Sequence, residues 1–257
     1  MGWNAAAIAD ALRYADEVVE GSFADVTLRV GRLSTAYIAE LLLELPTKAA
    51  NTPPAIPPPV EPARPEPLPL LWISGARASG KSAVGWEVFR NLIRAGVRTL
   101  LLDLRQLGFL RPGEDGDPGT HAIRARNVGA ILRHSDARAA VVTGPLVTER
   151  ELRSYSRELL PDTPLTLVRL RASPEELRGR LQLRAAGSGW REAGDDLVGM
   201  LPDELDARWR KAIAESDRLD RAGIADLVVD TAGRSPAAIA EQVLAKAPGW
   251  SQLLATG

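Results

Sequence analysis

Several residue types that build common functional sites are missing or scarce in this chain of 257 residues. It has no cysteine, which excludes disulfides, thiolate metal sites and cysteine nucleophiles. Two histidines, His121 and His134, are too few for a histidine-rich metal site. No apolar run approaches the roughly 20 residues that a membrane-spanning helix requires, and the first ten residues do not resemble a signal peptide. We therefore expect a cytoplasmic protein that does not engage membranes.

An excess of positive charge is also missing. The formal net charge is −1, whereas broad nucleic-acid binding requires a basic surface that displaces counterions. We therefore expect no nucleic acid among the partners. The basic residues are mostly arginine, and lysine stands only at positions 48, 81, 211 and 246. This scarcity singles out Lys81, which belongs to the motif described below.

The first 69 residues divide into two segments. Residues 1–45 predict a small, mainly helical segment, because apolar residues recur at helical spacing in Ala5–Glu20 and Thr35–Leu45. Such a short piece buries little core alone, so we expect it to pack on the rest of the chain or on a second copy, as in a homodimer. Ten of the 24 residues from 46 to 69 are proline, which predicts a semi-rigid spacer; a docking motif for a proline-reading domain is the alternative.

Strands and helices alternate in residues 70–257, the predicted third segment. This alternation implies an α/β domain with a parallel sheet covered on both faces. The predicted strands are Leu70–Ser74, Val97–Asp103, Ala139–Thr143, Leu165–Leu170 and Ala225–Asp230. The predicted helices are Ser82–Arg94, His121–His134, Thr148–Leu159, Pro174–Arg184, Leu201–Leu219 and Ser235–Ala247.

A phosphate-binding loop follows the first predicted strand. Its eight residues match G-x-x-x-x-G-K-[ST] and are Gly75, Ala76, Arg77, Ala78, Ser79, Gly80, Lys81 and Ser82. The glycines let backbone N–H groups converge on phosphate, the lysine reaches the outer phosphates, and the last serine offers a hydroxyl to Mg²⁺. Composition alone predicts a chance match in roughly three of a thousand such chains, so the motif is specific.

An acid at the end of the neighbouring predicted strand extends this site. Asp103 ends the second strand, where it can hold Mg²⁺ through water or take the proton of an attacking hydroxyl; a turn residue is the alternative. Arg105 follows and can hold an anionic acceptor or remain in solvent. The third strand ends in Thr143, where many ATPases and GTPases carry a second magnesium-binding acid, and this disfavours hydrolytic motors.

A basic helix predicts a lid over the same site. Arg180 and Arg184 lie four residues apart, hence on one face, and the glycines at 187 and 189 follow. Arginines on such a lid can neutralise a transferring phosphoryl group, although they can also be solvated surface residues. Arg124 and Arg126, on the helix after the second strand, are candidates for contacting the acceptor.

These motifs resemble the small P-loop kinases, such as adenylylsulfate kinase, with shikimate, gluconate and chloramphenicol kinases in the same broad group. The resemblance covers about residues 70–247 and rests on Gly75–Ser82, Asp103, the helix 177–184 and Ala225–Thr231 followed by Ser235-Pro236. It implies a three-layer sandwich with a five-stranded parallel sheet in the order 2-3-1-4-5, a lid, ATP and Mg²⁺.

The resemblance also implies individual contacts. The segment after the last strand, Thr231–Ser235, would approach the adenine. Adenylylsulfate kinases carry a second acid where Arg105 stands and an aromatic acceptor clamp that this chain lacks, so the resemblance does not extend to the acceptor.

Two functions are compatible with the sequence. The first is an ATP-dependent kinase that phosphorylates a hydroxyl of a metabolite, nucleoside or natural product. The alternative is a non-catalytic or slowly hydrolysing nucleotide-binding module that is recruited to a partner through the N-terminal segment.

Overall fold

The computed structural model describes residues 68–108, 117, 120–188 and 197–255. The chain divides into two units, Met1–Pro58 and Pro59–Gly257, and all the described residues belong to the second. The predicted N-terminal helices, and the proline-rich spacer up to residue 67, lie outside the described residues. The three-part division of the chain therefore stays a prediction.

Five strands form the described part of the sheet: β1 Leu70–Gly75, β2 Thr99–Asp103, β3 Ala139–Thr143, β4 Leu165–Arg171 and β5 Leu227–Asp230. All pairs are parallel, and the order is β2-β3-β1-β4-β5. This order confirms the P-loop kinase architecture that the resemblance implied.

Seven α-helices connect and cover these strands in the described residues. They are α1 Lys81–Arg94, α2 His121–Arg133, α3 Glu149–Ser156, α4 Pro174–Ala185, α5 Pro202–Ala222, α6 Pro236–Lys246 and α7 Trp250–Ala255. A single turn of 3₁₀ helix, Leu104–Gln106, follows β2. Within the described part of the chain, no helix combines the length and the apolar character needed to cross a bilayer.

The sheet has a buried core on each face, because successive strand residues point to opposite sides. On one face Leu71 and Ile73 pack with residues of α1, α6 and α7, including the fully buried Trp250. On the other face Trp72 packs with α2 and with Tyr155 of α3. Helices on both faces complete the three layers.

The strand that carries Asp103 is not the direct neighbour of β1. β3 lies between β1 and β2, with Thr143 in register with Ile73 on one side and Asp103 on the other. The expectation of a neighbouring strand end was therefore wrong in this detail. Asp103 still reaches the phosphate loop, because the backbone of α1 passes close over the end of β3.

Gly85 permits this close passage of α1. A Cβ at position 85 would stand 2.3 Å from Cγ2 of Thr143, whose side chain is buried. A glycine inside a helix normally costs about 1 kcal/mol relative to alanine, and here it is needed for packing.

We expect Gly85→Ala to destabilise the domain despite its better helix propensity. Overpacking costs about 1–3 kcal/mol, so a net loss of about 1 kcal/mol is expected in urea unfolding. The double variant Gly85→Ala/Thr143→Ser lacks the opposing methyl group and should recover that loss. Additive effects of the two substitutions would contradict the predicted clash.

Candidate active site

The phosphate loop owes its shape to three residues with positive φ. They are Gly75 at 150°, Ala78 at 64° and Gly80 at 97°. At Gly75 a Cβ would approach Ser79 Oγ to 2.5 Å and the Leu170 carbonyl oxygen to 2.6 Å, so only glycine fits there. Gly80 is the N-cap of α1 and brings no side chain to cap the first amide groups of the helix. The helix therefore presents its positive end at the loop.

A cavity of about 420 Å³ lies over this loop at the carboxyl end of β1. Cations dominate its charged lining, with Glu215 as the one carboxylate among the described lining residues. This lining suits a polyphosphate, because arginine and lysine are the usual partners of phosphate oxygens. The described lining residues are Arg77, Ala78, Ser79, Gly80, Lys81, Ser82, Ala83, Val84, Arg105, Pro145, Arg180, Leu183, Arg184, Ser188, Glu215, Arg234, Pro236 and Ile239.

Lys81 is turned back onto its own loop. Its Nζ donates a hydrogen bond of 2.8 Å to the carbonyl oxygen of Ala76. Burial lowers the pKa of Lys81 from 10.5 to about 8; the negative charge of Glu215 opposes this shift, and the positive charges of Arg105 and Arg77 add to it. Bound phosphate would restore the charged form, since an anion at close range favours the ammonium.

Nucleotide affinity should therefore depend on pH in a defined direction. Below about pH 8 Lys81 is already charged, whereas above it phosphate binding must first add a proton. We expect the affinity for ADP, measured by titration calorimetry, to fall about tenfold between pH 7 and pH 9. Lys81→Arg should abolish this slope, because a guanidinium stays charged throughout. An equally steep slope in that variant would show that another group titrates.

Asp103 connects the end of β2 to the loop. Its Oδ2 accepts a hydrogen bond of 3.2 Å from the Ser82 hydroxyl, and its Oδ1 accepts one of 2.9 Å from the Arg105 backbone N–H. The Arg105 guanidinium, which also lines the cavity, lies 3.7 Å from the same carboxylate. The structure thus brings together three of the residues that the sequence singled out.

These oxygens fit a magnesium ion bound mainly by phosphate. Mg²⁺ prefers oxygen ligands and keeps several waters, so it commonly takes one or two protein groups and the phosphates of a substrate. The Ser82 hydroxyl and the Asp103 carboxylate supply such groups at contact distance. Within the described residues no cluster of three or more His, Cys, Asp or Glu could hold a metal without phosphate.

Arg180, which lines the cavity, ties three separate segments together. Its Nη1 donates to the carbonyl oxygens of Ala78 and Ser79, at 3.4 and 3.2 Å, and to Thr231 Oγ1 at 3.0 Å. Its Nη2 donates to the Thr231 carbonyl oxygen at 3.0 Å and lies 3.5 Å from the Glu176 carboxylate. α4 thereby supports the backbone of the phosphate loop.

Thr231 was assigned by resemblance to the nucleotide contacts. The residue is fully buried, and its hydroxyl donates to the carbonyl oxygen of Arg171. It contacts Arg180, which lines the cavity, but is itself not among the lining residues. Its assignment to the nucleotide stays a prediction.

The remaining basic candidates lie in different places. Arg184 lines the cavity with Ser188, while Gly189 lies outside the described residues. Arg124 and Arg126 lie on α2 and are not among the described lining residues of the cavity. Arg126 is exposed, whereas Arg124 Nε is buried and has no hydrogen-bond partner in the described residues. Their assignment to acceptor binding stays a prediction.

Sequence reasoning missed several residues of the cavity wall. Pro236 and Ile239 come from the start of α6, and Pro145 follows β3; Arg234 also lines the cavity, but it belongs to the segment 231–235 that the resemblance placed near the adenine. Glu215 of α5 accepts a hydrogen bond of 2.9 Å from the Arg77 backbone N–H. A signal existed for the first group, because residues after the carboxyl ends of strands line ligand sites in such sheets. None existed for Glu215, which lies in a helix where charged residues are frequent.

No model of a known protein family matches the chain, and no curated protein matches it. Solved structures do. The shikimate kinase from Acinetobacter baumannii, in complex with shikimate, is 18% identical over 69% of this chain and 91% of its own, with a TM-score of 0.44. A gluconokinase from Sinorhizobium meliloti 1021 is 19% identical over 75% and 96%, with a TM-score of 0.46.

The APS kinase from Mycobacterium tuberculosis, in complex with AMPPNP and APS, is 19% identical over 75% of this chain and all of its own, with a TM-score of 0.45. These similar structures are small P-loop kinases, the group that the sequence motifs resemble. The ligands named with them are properties of those proteins, and the fold of this chain rests on its own strand order and phosphate loop.

Proposed function

We propose that this chain is an ATP-dependent phosphotransferase that moves the γ-phosphoryl group to a hydroxyl of a small molecule. The observation that carries the proposal is the contact of 3.2 Å between Ser82 of the phosphate loop and Asp103 at the end of β2. A hydroxyl that can bind metal and lines the cavity thus meets a carboxylate that can accept a proton.

Each residue of the site has a distinct task in this proposal. The backbone of the loop and the positive end of α1 bind the phosphates, and Lys81 leaves the Ala76 carbonyl to neutralise their charge. Ser82, and Asp103 through water, would hold Mg²⁺, which supplies further charge neutralisation when it is bound. Asp103 then either orients the acceptor hydroxyl and takes its proton or only organises the metal.

Two further features support transfer to an acceptor over hydrolysis. β3 ends in Thr143, which packs against Gly85, so that strand end lacks the second magnesium-binding acid that many hydrolytic ATPases and GTPases carry there. Arg105 lies beside Asp103 and lines the cavity, where it can hold an anionic part of an acceptor.

A screen of acceptors tests the proposal directly. The full-length chain is incubated with Mg-ATP and a panel of nucleosides, adenylylsulfate, sugars and aminocyclitols, and the products are identified by mass. We expect one class of hydroxyl compounds to gain a phosphoryl group and to accelerate ADP release. Equal ADP release with and without every acceptor would contradict the proposal for that panel and favour the nucleotide-binding module.

A further inference from the structure

Glu215 places a negative charge in a cavity whose other charged side chains are all basic in the described lining. Its Oε2 lies 2.9 Å from the backbone nitrogen of Arg77, the third residue of the phosphate loop. The other charged residues in the described lining of the cavity are Arg77, Lys81, Arg105, Arg180, Arg184 and Arg234. A carboxylate is unexpected among the hydrogen-bond donors of a site that suits phosphate.

The helix that carries Glu215 is held firmly against the loop. Ala212, three residues earlier and so on the same face of α5, is 1% exposed and shares a packed cluster with Ala76 of the loop. Ser216, the next residue, offers its carbonyl oxygen to the buried Arg169 of β4 at 3.1 Å. The helix around Glu215 is thus held by packing at Ala212 and by a hydrogen bond at Ser216, and the Glu215 carboxylate is positioned by its hydrogen bond with Arg77 N–H.

The Glu215 carboxylate accepts a hydrogen bond from a backbone N–H of the kind that binds phosphate in such loops. Backbone N–H groups in such loops cradle phosphate oxygens, and a carboxylate is an acceptor of the same charge type. With Arg77 N–H bound to Glu215 and Lys81 Nζ bound to the Ala76 carbonyl, two donors of the loop are satisfied by the protein itself. The later part of the loop, from Ala78 to Ser82, lines the cavity and continues into α1.

We propose that Glu215 determines specificity for the number of phosphates on the nucleotide and weakens the binding of triphosphates relative to diphosphates. The inference rests on the nucleotide site of the proposed function. Two phosphates can lie along Ala78–Ser82 while Glu215 keeps the Arg77 amide. A third phosphate brings its charge toward the carboxylate and must compete with it for Arg77 N–H and for the charge of Lys81.

The substitution Glu215→Gln isolates this effect. An amide oxygen can still accept the hydrogen bond from Arg77 N–H, so the packing of α5 is kept while the charge is removed. We measure the dissociation constants of ADP and of a non-hydrolysable ATP analogue, both with Mg²⁺, by titration calorimetry on the full chain. The affinity for the triphosphate should rise about tenfold relative to that for ADP.

Asp217→Asn is the matched control, because Asp217 is an exposed acid on the same helix and does not line this cavity. It should leave the ratio of the two affinities unchanged, and thermal melting should show that both variants are folded.

Three outcomes would overturn the inference. The first is an unchanged affinity ratio in Glu215→Gln with nucleotide binding intact, and the second is an equal gain for both nucleotides, which would reflect a general charge effect. The third is a loss of phosphoryl transfer with an unchanged ratio, which would make Glu215 a catalytic residue. The wild-type chain binds nucleotide in all three, so they leave the proposed function standing. Failure of the wild-type chain to bind either nucleotide would overturn both.

Discussion

Lys81→Ala should abolish the thermal stabilisation of this protein by Mg-ADP and Mg-ATP. A ligand present at a hundred times its dissociation constant stabilises the native state by about 2.7 kcal/mol, which corresponds to a rise in Tm of roughly 5–10 °C for a domain of this size. Hydrogen bonds to charged groups contribute about 1.5–3 kcal/mol each, and Lys81 is expected to bind two phosphates. A hundredfold weaker affinity reduces the stabilisation to about 0.4 kcal/mol, which lies near the limit of detection.

The empty protein provides the first control for this experiment. Burial disfavours the charged form of Lys81 and lowers its pKa to about 8, so its removal should not lower the Tm measured without nucleotide. Lys246→Ala provides the second, because Lys246 is an exposed residue in the last turn of α6. A Tm shift that survives in Lys81→Ala would mean that the loop is not the nucleotide site.

Asp103→Asn should reduce phosphoryl transfer about 10²–10⁴-fold and leave the fold intact. The asparagine oxygen can still accept the Arg105 backbone N–H that Asp103 accepts at 2.9 Å, so the turn after β2 is preserved. The amide cannot take a proton from an attacking hydroxyl, and it is a weaker partner for Mg²⁺. The readout is kcat with the acceptor that the screen identifies, measured over a range of Mg²⁺ concentrations.

The magnesium dependence separates the two tasks of Asp103. If the carboxylate only organises the metal, high Mg²⁺ should restore part of the rate; if it is the base, the rate should stay low at every concentration. Asp162→Asn is a suitable control, because Asp162 is exposed and has φ 60°, a conformation that asparagine tolerates. An unchanged kcat in Asp103→Asn would remove this residue from the mechanism.

Local sequence patterns were sufficient for most of the fold. The phosphate loop requires a strand before it and a helix after it, and the apolar runs of the other strands are bounded by turn residues. One predicted strand boundary differs from the structure where a side chain replaces a backbone hydrogen bond of the sheet. β5 begins at Leu227 and not at the predicted Ala225, and the Asp226 carboxylate accepts the Leu167 N–H at 2.7 Å. The short α7 escaped prediction because six residues carry too little periodicity.

Only those residues of the candidate site that belong to a local sequence motif or follow a strand were predictable. Gly75–Ser82 and Asp103 follow strands, and the carboxyl ends of parallel strands meet at one edge of the sheet. Glu215 enters the cavity because α5 packs where it does, and no local pattern encodes that placement. Thr231 illustrates the same limit, since its contact with Arg180 joins residues 51 positions apart.

The hydrogen bonds of Arg180 also determine when this site can form during synthesis and folding of the chain. The guanidinium reaches back 102 positions to Ala78 and forward 51 positions to Thr231. The phosphate loop leaves the ribosome early, because synthesis runs from the N-terminus. Arg180, which supports the loop, and Thr231, which anchors Arg180, emerge much later. Such long loops must close before their contacts contribute, which slows folding. The nucleotide site is therefore completed late in synthesis, when the chain has emerged past β5.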